Sequence, residues 1–262
     1  MKEDNEQTQE EVNKVWENEW QNGGGENSAK TLFGQRLFIE GYPVFKKYIP
    51  KDAELILDVG GGTGRYGVKM AQDLPNAKVM VTDILPESLV IARSLAQEVN
   101  AKNVEFCTED VRALSFPDDF FDVVFCDVVI QHLPDVENAM REMRRVCKQG
   151  GVLIVSVNNL WNPHTIHKFL MGKRYRYGYE KSYTRKELRD LFFGHHLEIV
   201  AMDGFYPAYS IFRLKMYWKP AAVIGSVLNR LNRIIDPWTG RFLSRHFGFE
   251  IFCVARKPQQ KD

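Results

Sequence analysis

Short apolar runs alternate with helix-spaced apolar positions from Glu54 to near the end of the chain. "ELILDV", "AKVMVTD", "NVEFCTED", "FDVVFCD" and "GGVLIVSV" predict five strands, and "LEIVAMDG" and "FGFEIFCVAR" predict two more. Between them, Val68, Ala71 and Leu74 recur at helical spacing, as do Ile91, Leu95 and Val99. Val136, Ala139, Met140, Met143, Val146 and Cys147 repeat the same pattern behind Asp135, a predicted cap. Thr184 and Glu187 form a capping box before Leu188, Leu191 and Phe192, and Gly194 closes that helix. Such alternation predicts an α/β fold with a seven-stranded, mostly parallel Rossmann-like sheet and helices on both faces.

Three zones lie outside this pattern. Residues 1–50 predict an N-terminal helical cap ahead of a main domain at 51–262. Within the cap, Trp16 and Trp20 share one helical face. "NGGGENS" then breaks the pattern, and Asn27 or Ser28 caps a second helix expected to reach Tyr48 with a kink at Pro43. The other two zones are insertions at 158–182 and 206–246, placed where loops at strand ends carry binding and specificity.

Composition narrows the class. At 262 residues the chain is long enough for one well-buried domain with extensions, and its formal net charge of +1 implies no bulk attraction to nucleic acid. Cys107, Cys126, Cys147 and Cys253 form no CxxC pair, so they read as structural thiols of a reducing compartment. The acidic start "MKEDNEQTQEE" is not a secretory signal, and no run of about 18 apolar residues spans a membrane. A cytoplasmic location follows as the expectation, with peripheral membrane contact as an addition discussed below.

The chemistry concentrates at "LILDVGGGTGRYG". A glycine-rich turn after the first strand lets backbone approach a ligand closely, and the next helix offers free N–H groups. Gly60, Gly62 and Gly64 give G-x-G-x-G behind Asp58, not the G-x-G-x-x-G of a dinucleotide site, and no Lys-Ser or Lys-Thr pair makes a P-loop. Asp83 closes the second strand, where an acid accepts from the two ribose hydroxyls of an adenosine and repels a 2′-phosphate. Asp110 follows the third strand, placed to accept from an adenine amino group, with the Val111 N–H serving the ring nitrogen. Each acid also has a purely structural reading: Asp58 as a brace for the glycine turn, Asp83 and Asp110 as caps of short turns.

With these motifs in order, the sequence resembles the class I S-adenosylmethionine-dependent methyltransferases, over roughly Leu32 to Val157. It is most similar to the small-molecule branch that methylates quinones, sterols and natural products. The resemblance implies that Asp58, Gly60, Gly62 and Gly64 line the methionine part of S-adenosylmethionine. It implies that Asp83 holds the ribose, Ile84 lies against the adenine, and Asp110 with Val111 reads the adenine edge. Cys126 and Asp127 would border the methionine amino group and the substrate. Gln131 stands where the family often has a second histidine.

The implied reaction is methyl transfer to an O, N or C nucleophile of a small or lipid-like acceptor, releasing S-adenosylhomocysteine. Two rivals stand beside it: an RNA or protein methyltransferase, and a non-catalytic subunit that binds the cofactor for a partner. Balanced charge and the lack of an RNA-binding module argue against a nucleic acid partner.

His132, just past the fourth strand, is the catalytic candidate, a neutral-range base for a hydroxyl, phenol or amine. Its structural alternative is a loop histidine bonded to backbone before Pro134. His164 with His167, and His195 with His196, come without a third ligand, so no metal site is predicted. Tyr175, Tyr177, Tyr179 and Tyr183, with Lys173, Arg174 and Arg176, read either as an aromatic, basic substrate wall or as a solvated loop.

The insertion at 206–246 carries seven basic residues against Asp236. Ile224, Val227, Leu228, Leu231, Ile234 and Ile235 form one helical face, with Arg230 and Arg233 on the other. Residues 220–235 therefore read as a lid packed on the core or as an amphipathic helix resting on an anionic membrane. Oligomeric state is not encoded in any of these patterns.

Overall fold

The computed structural model describes residues 8–22, 27–165, 168, 179–213, 215 and 218–259. Lys173, Arg174, Tyr175, Arg176 and Tyr177 of the expected substrate wall lie outside the described residues, as does His167, considered above with His164 as a metal ligand.

One mixed sheet organises the chain. Its strands are β1 (Leu55–Val59), β2 (Lys78–Asp83), β3 (Val104–Thr108), β4 (Phe121–Asp127), β5 (Cys147–Asn158), β6 (Glu198–Phe205) and β7 (Glu250–Arg256), in the order β3-β2-β1-β4-β5-β7-β6. All pairings are parallel except those of β7, which runs antiparallel to β5 and β6. The reversal returns the start of β7 to the edge where the parallel strands end, with Glu250 opposite Asn158.

Strand residues alternate between two buried layers, because successive side chains point to opposite faces. Leu57, Val124, Cys126, Leu153 and Cys253 join the core beneath α6 (Val136–Val146) and α7 (Arg185–Gly194). Ile56, Val123, Phe125, Ile154 and Phe252 join the opposite core, beneath α3 (Arg36–Phe45) and α4 (Arg65–Asp73). Α5 (Pro86–Glu98) begins with Pro at its first turn, where a missing N–H costs nothing. The predicted caps form: Asp135 accepts from the Asn138 N–H, and Thr184 and Glu187 make the reciprocal box.

The amino-terminal segment differs from the expected single kinked helix. Ser28 caps α2 (Ala29–Gly34), and Gln35 then breaks the chain with extended φ −62° and ψ 131°. Pro43 sits within the helical span of α3 instead of at the break. Gly34, a weak helix former, precedes the break, and the Gln35 side chain is engaged by Arg65 Nη1 at 2.6 Å. Phe45 is fully buried, with its ring 5.1 Å from Phe125 and 5.0 Å from Phe252. This part of the segment is built into the core of the sheet.

The second insertion also corrects an expectation. It contains α8 (Tyr209–Arg213), α9 (Ala221–Ile235) and α10 (Phe242–Phe247). Α9 buries Ala221, Gly225, Asn229 and Asn232, and turns its apolar stripe outward. A lid with that stripe packed on the core is therefore not what forms. The inward face is held by polar bonds: Asn229 Nδ2 donates to Glu40 Oε1 at 2.7 Å, and Asn232 Nδ2 donates to Ser244 Oγ at 3.3 Å. Arg233 pairs with Glu40.

Candidate active site

A cavity of about 510 Å³ opens along the ends of β1, β2 and β4, within the range of about 300–1,000 Å³ typical of small-ligand sites. The turn after β1 forms its floor. Gly60, Gly62 and Gly64 have φ of 63°, 53° and 73°, a left-handed conformation that glycine adopts without a steric penalty. Gly60 and Gly62 face the cavity. Gly64 does not line it: a Cβ there would come within 2.7 Å of Ala92 Cβ, so its place is set by close packing of α4 on α5.

Asp58 acts through backbone. Its Oδ2 accepts the Gly67 N–H at 2.8 Å, which braces the first turn of α4. Burial lifts its carboxyl to about 7, against the pull of the Gly67 bond. Asp83 lines the cavity and ties the turn to β2. Its Oδ2 accepts from Gly62 N at 2.9 Å and its Oδ1 from Leu85 N at 3.0 Å. Burial raises this carboxyl too. A carboxylate offers about four lone-pair sites, so each oxygen keeps capacity for one more donor. Ile84 and Val111 are cavity walls, as expected.

Two expected residues are placed otherwise. Asp110 lines the cavity, but Arg112 clamps it: Nη2 donates to Oδ2 at 2.6 Å, and both Nε and the Arg112 N–H reach Oδ1 at 2.9 Å. That guanidinium holds the carboxyl below its ordinary range and fills the lone pairs an adenine amino group would need. Cys126 is fully buried in the core beneath α6, because period-two alternation turns it away from its neighbour Asp127. Burial pushes its thiol up. All four cysteines are free thiols.

Asp127 does face the cavity. It accepts from Ser156 Oγ at 2.6 Å, and Arg65 Nη2 lies 3.7 Å away. Beside it, from β7, stands Glu250, which the sequence reading passed over. Burial first, and then the Asp127 charge, raise the Glu250 carboxyl well above its ordinary value. Its Oε2 is buried with no hydrogen-bond partner, as is the hydroxyl of Tyr66, another cavity residue. The signal was a lone acid inside an apolar strand.

His132 lies in the 3₁₀ turn Ile130–His132 and lines the cavity. Its Nδ1 is 2.9 Å from the Tyr179 carbonyl, which only accepts, so Nδ1 carries the proton. Nε2 is then the acceptor, 3.2 Å from Gln131 Nε2. Gln131 is oriented in turn, because its Oε1 accepts the Asn158 N–H at 2.7 Å. Glu180 Oε2 is 3.9 Å from Nε2. Burial lowers the histidine below its ordinary 6.5, so it is neutral at neutral pH. Tyr183, from the same expected wall, is buried in the core beneath α7.

The cavity has a further wall that sequence reasoning left without a role. Α1 (Gln9–Asn22) places Trp16 and Trp20 over the site. Trp20 meets Gly62, where an added Cβ would sit 3.3 Å from the indole. The Trp16 ring is edge-on to His132, with centroids 5.0 Å apart.

The model of the methyltransferase domain family matches residues 50–180. The uncharacterised methyltransferase YcgJ of Bacillus subtilis is 35% identical over 96 residues, 37% of each chain. The ubiquinone/menaquinone biosynthesis C-methyltransferase UbiE of Hahella chejuensis is 36% identical over 102 residues, 38% of this chain and 41% of that one. The chain thus spans less than half the length of these relatives. Among solved structures, phosphoethanolamine N-methyltransferase 2 of Haemonchus contortus, in complex with S-adenosyl-L-methionine, shares the fold. Its TM-score is 0.62 at 18% identity, covering 97% of this chain and 59% of that one.

Proposed function

The chain belongs to the methyltransferase domain family, in its class I S-adenosylmethionine-dependent group, and we propose that it transfers a methyl group to a small, lipid-like acceptor. The acceptor we infer is a quinol-type ring carrying an ionisable hydroxyl; the UbiE relative is named as a C-methyltransferase of ubiquinone and menaquinone biosynthesis.

The observation that carries the reading is the balance of charge in the cavity. Asp58, Asp83, Asp127, Glu180 and Glu250 line it beside Arg65, Asp110 lines it paired with Arg112, and Glu19 and Glu109 add two more acids. Burial keeps the proton on Glu250 and shares it on Asp58, yet acids still outnumber bases, so the site disfavours the pyrophosphate of a dinucleotide and suits a cationic sulfonium. S-adenosylmethionine supplies that sulfonium and the methyl group on it. Asp83 has the spare lone pairs for two ribose hydroxyls, Ile84 packs on the adenine, and the Val111 backbone reads the ring edge. Arg112 leaves Asp110 as a brace for that turn. Gly60, Gly62 and Asp127 border the methionine portion.

His132 is the residue we place at the acceptor. The one lone pair on Nε2 of its neutral imidazole accepts from the Gln131 amide, and an acceptor hydroxyl that displaces this amide gives its proton to the same lone pair. The apolar walls contributed by Val129, Leu133 and Phe249 suit a ring more than a polar polymer. We place the protein in the cytoplasm, with a lipid-phase substrate.

The test is direct. Purified protein is incubated with radiolabelled S-adenosylmethionine and, in separate reactions, with a lipid extract, a polar metabolite pool and total RNA. Label in an organic-extractable ring compound is expected. Ribonuclease-sensitive label would replace this reading with the RNA one. Calorimetric binding of S-adenosylmethionine without transfer to any pool would make the chain a cofactor-binding subunit.

A further inference from the structure

Α9 carries a continuous exposed apolar face. Val223, Val227 and Ile234 are 66%, 52% and 62% exposed, and Ile224, Leu228, Leu231 and Ile235 are exposed beside them. At about 100° per residue these positions form one continuous arc of the helix. Trp218 precedes the helix at 56% exposure, and Trp238 follows it at 90%. Contiguous apolar patches of this kind are unusual on soluble chains unless something covers them.

The helix has no route to bury that arc by rolling inward. Its opposite face is fixed by the Asn229–Glu40, Arg233–Glu40 and Asn232–Ser244 contacts. The turn that follows is fixed as well: Asp236 accepts from Ser244 Oγ at 2.6 Å, and Arg241 reaches Asp203 at 2.7 Å. Rolling the helix would strand Asn229, Asn232, Asp236 and Ser244, each a buried polar side chain.

Charge selects the occupant. The exposed charges between residues 218 and 247 are all positive, Lys219, Arg230, Arg233 and Arg245, and the one acid there, Asp236, is buried. Arg230 stands at the margin of the apolar arc. At 15 residues the helix is about 22 Å long, too short to cross a hydrocarbon core of about 30 Å but suited to lie in its surface. Tryptophans at both ends match the preference of indoles for the membrane–water interface.

We propose that the outward face of α9, with Trp218 and Trp238, docks the protein in the plane of an anionic lipid bilayer. This inference stands apart from the identity of the acceptor. Α9 packs on α8, whose Tyr209 lines the cavity, so docking brings the site to the lipid surface.

The full-length protein, without acceptor, should float with vesicles of phosphatidylcholine and phosphatidylglycerol. It should bind much less to phosphatidylcholine alone, and less as salt rises. Leu231→Glu or Ile234→Ser should weaken flotation about tenfold or more while leaving the thermal midpoint and S-adenosylmethionine affinity unchanged. Ile234→Ser is the milder change and serves if Leu231→Glu does not fold. Arg230→Glu should weaken binding to the anionic vesicles alone. No flotation at any salt would overturn the proposal. So would a dimer in sedimentation that these variants dissociate, since it assigns the face to a second copy.

Discussion

The backbone N–H of Gly62 donates to Asp83 Oδ2 at 2.9 Å, joining the glycine turn after β1 to the end of β2. One carboxylate thereby shapes the loop and faces the ligand. Asp83→Ala should lose charge-assisted bonds worth about 1.5–3 kcal/mol, or roughly ten- to over a hundred-fold in S-adenosylmethionine affinity. The loss of the Gly62 and Leu85 acceptors should also lower the thermal midpoint. Calorimetry and a melting curve read both. Unaltered affinity would remove Asp83 from the ribose site.

Glu250 makes a prediction about pH. A carboxyl raised in the folded state binds more protons there than in the unfolded chain, between its ordinary value and its folded one. Its contribution to stability is therefore present at acid pH and lost as pH rises through that window. Glu250→Gln removes the titration, so the variant should gain on the wild type as pH increases from about 5 to 8. Denaturant midpoints at the two pH values test the sign. A constant difference would mean that Glu250 is not held protonated.

His132→Ala should slow turnover by about 10²–10⁴-fold if the imidazole takes the acceptor proton, with cofactor affinity nearly intact. Burial lowers its titration, so the acid limb of wild-type turnover should fall below pH 6.5. Gln131→Leu removes the amide that faces Nε2 and should move that limb without abolishing activity. Wild-type turnover in His132→Ala would make the histidine a brace for the Tyr179 carbonyl.

Trp20 of α1 lies over Gly62 and lines the cavity. Trp20→Ala should raise the dissociation rate of S-adenosylmethionine about tenfold, at little cost in folding stability. Stopped-flow displacement by S-adenosylhomocysteine measures it. An unchanged rate would show that α1 does not hold the ligand in.

The sheet was legible because its strands are compact apolar runs set between helix-spaced segments, and Asp83 stood out as an acid closing such a run. Asp127 came instead from the resemblance to the methyltransferase family, and it lines the cavity. Glu250 escaped because β7 reads like its neighbours, and its reversed direction, which places its first residue at the site, is a tertiary fact. Gly64 stands off the cavity because α4 packs against Ala92, whereas Asp110 lines the cavity with its carboxylate engaged by Arg112 two residues away. For α9 the amphipathic pattern was correct but silent about which face turns inward. The small and amide residues Gly225, Asn229 and Asn232, themselves at helical spacing, mark the buried side, and Glu40, far off in sequence, supplies the partner of Asn229.

Trp16 and Trp20 stack with centroids 6.0 Å apart and planes inclined at 26°. One indole touches the histidine placed at the acceptor and the other lies over the glycine turn of the cofactor site. Two chromophores so close share their electronic transitions, and the sign and size of that sharing follow their separation and tilt. The active site thus carries its own optical gauge. Displacing α1 by even part of a turn alters the angle between the rings, and the near-ultraviolet dichroism of the protein changes with it, with no label attached.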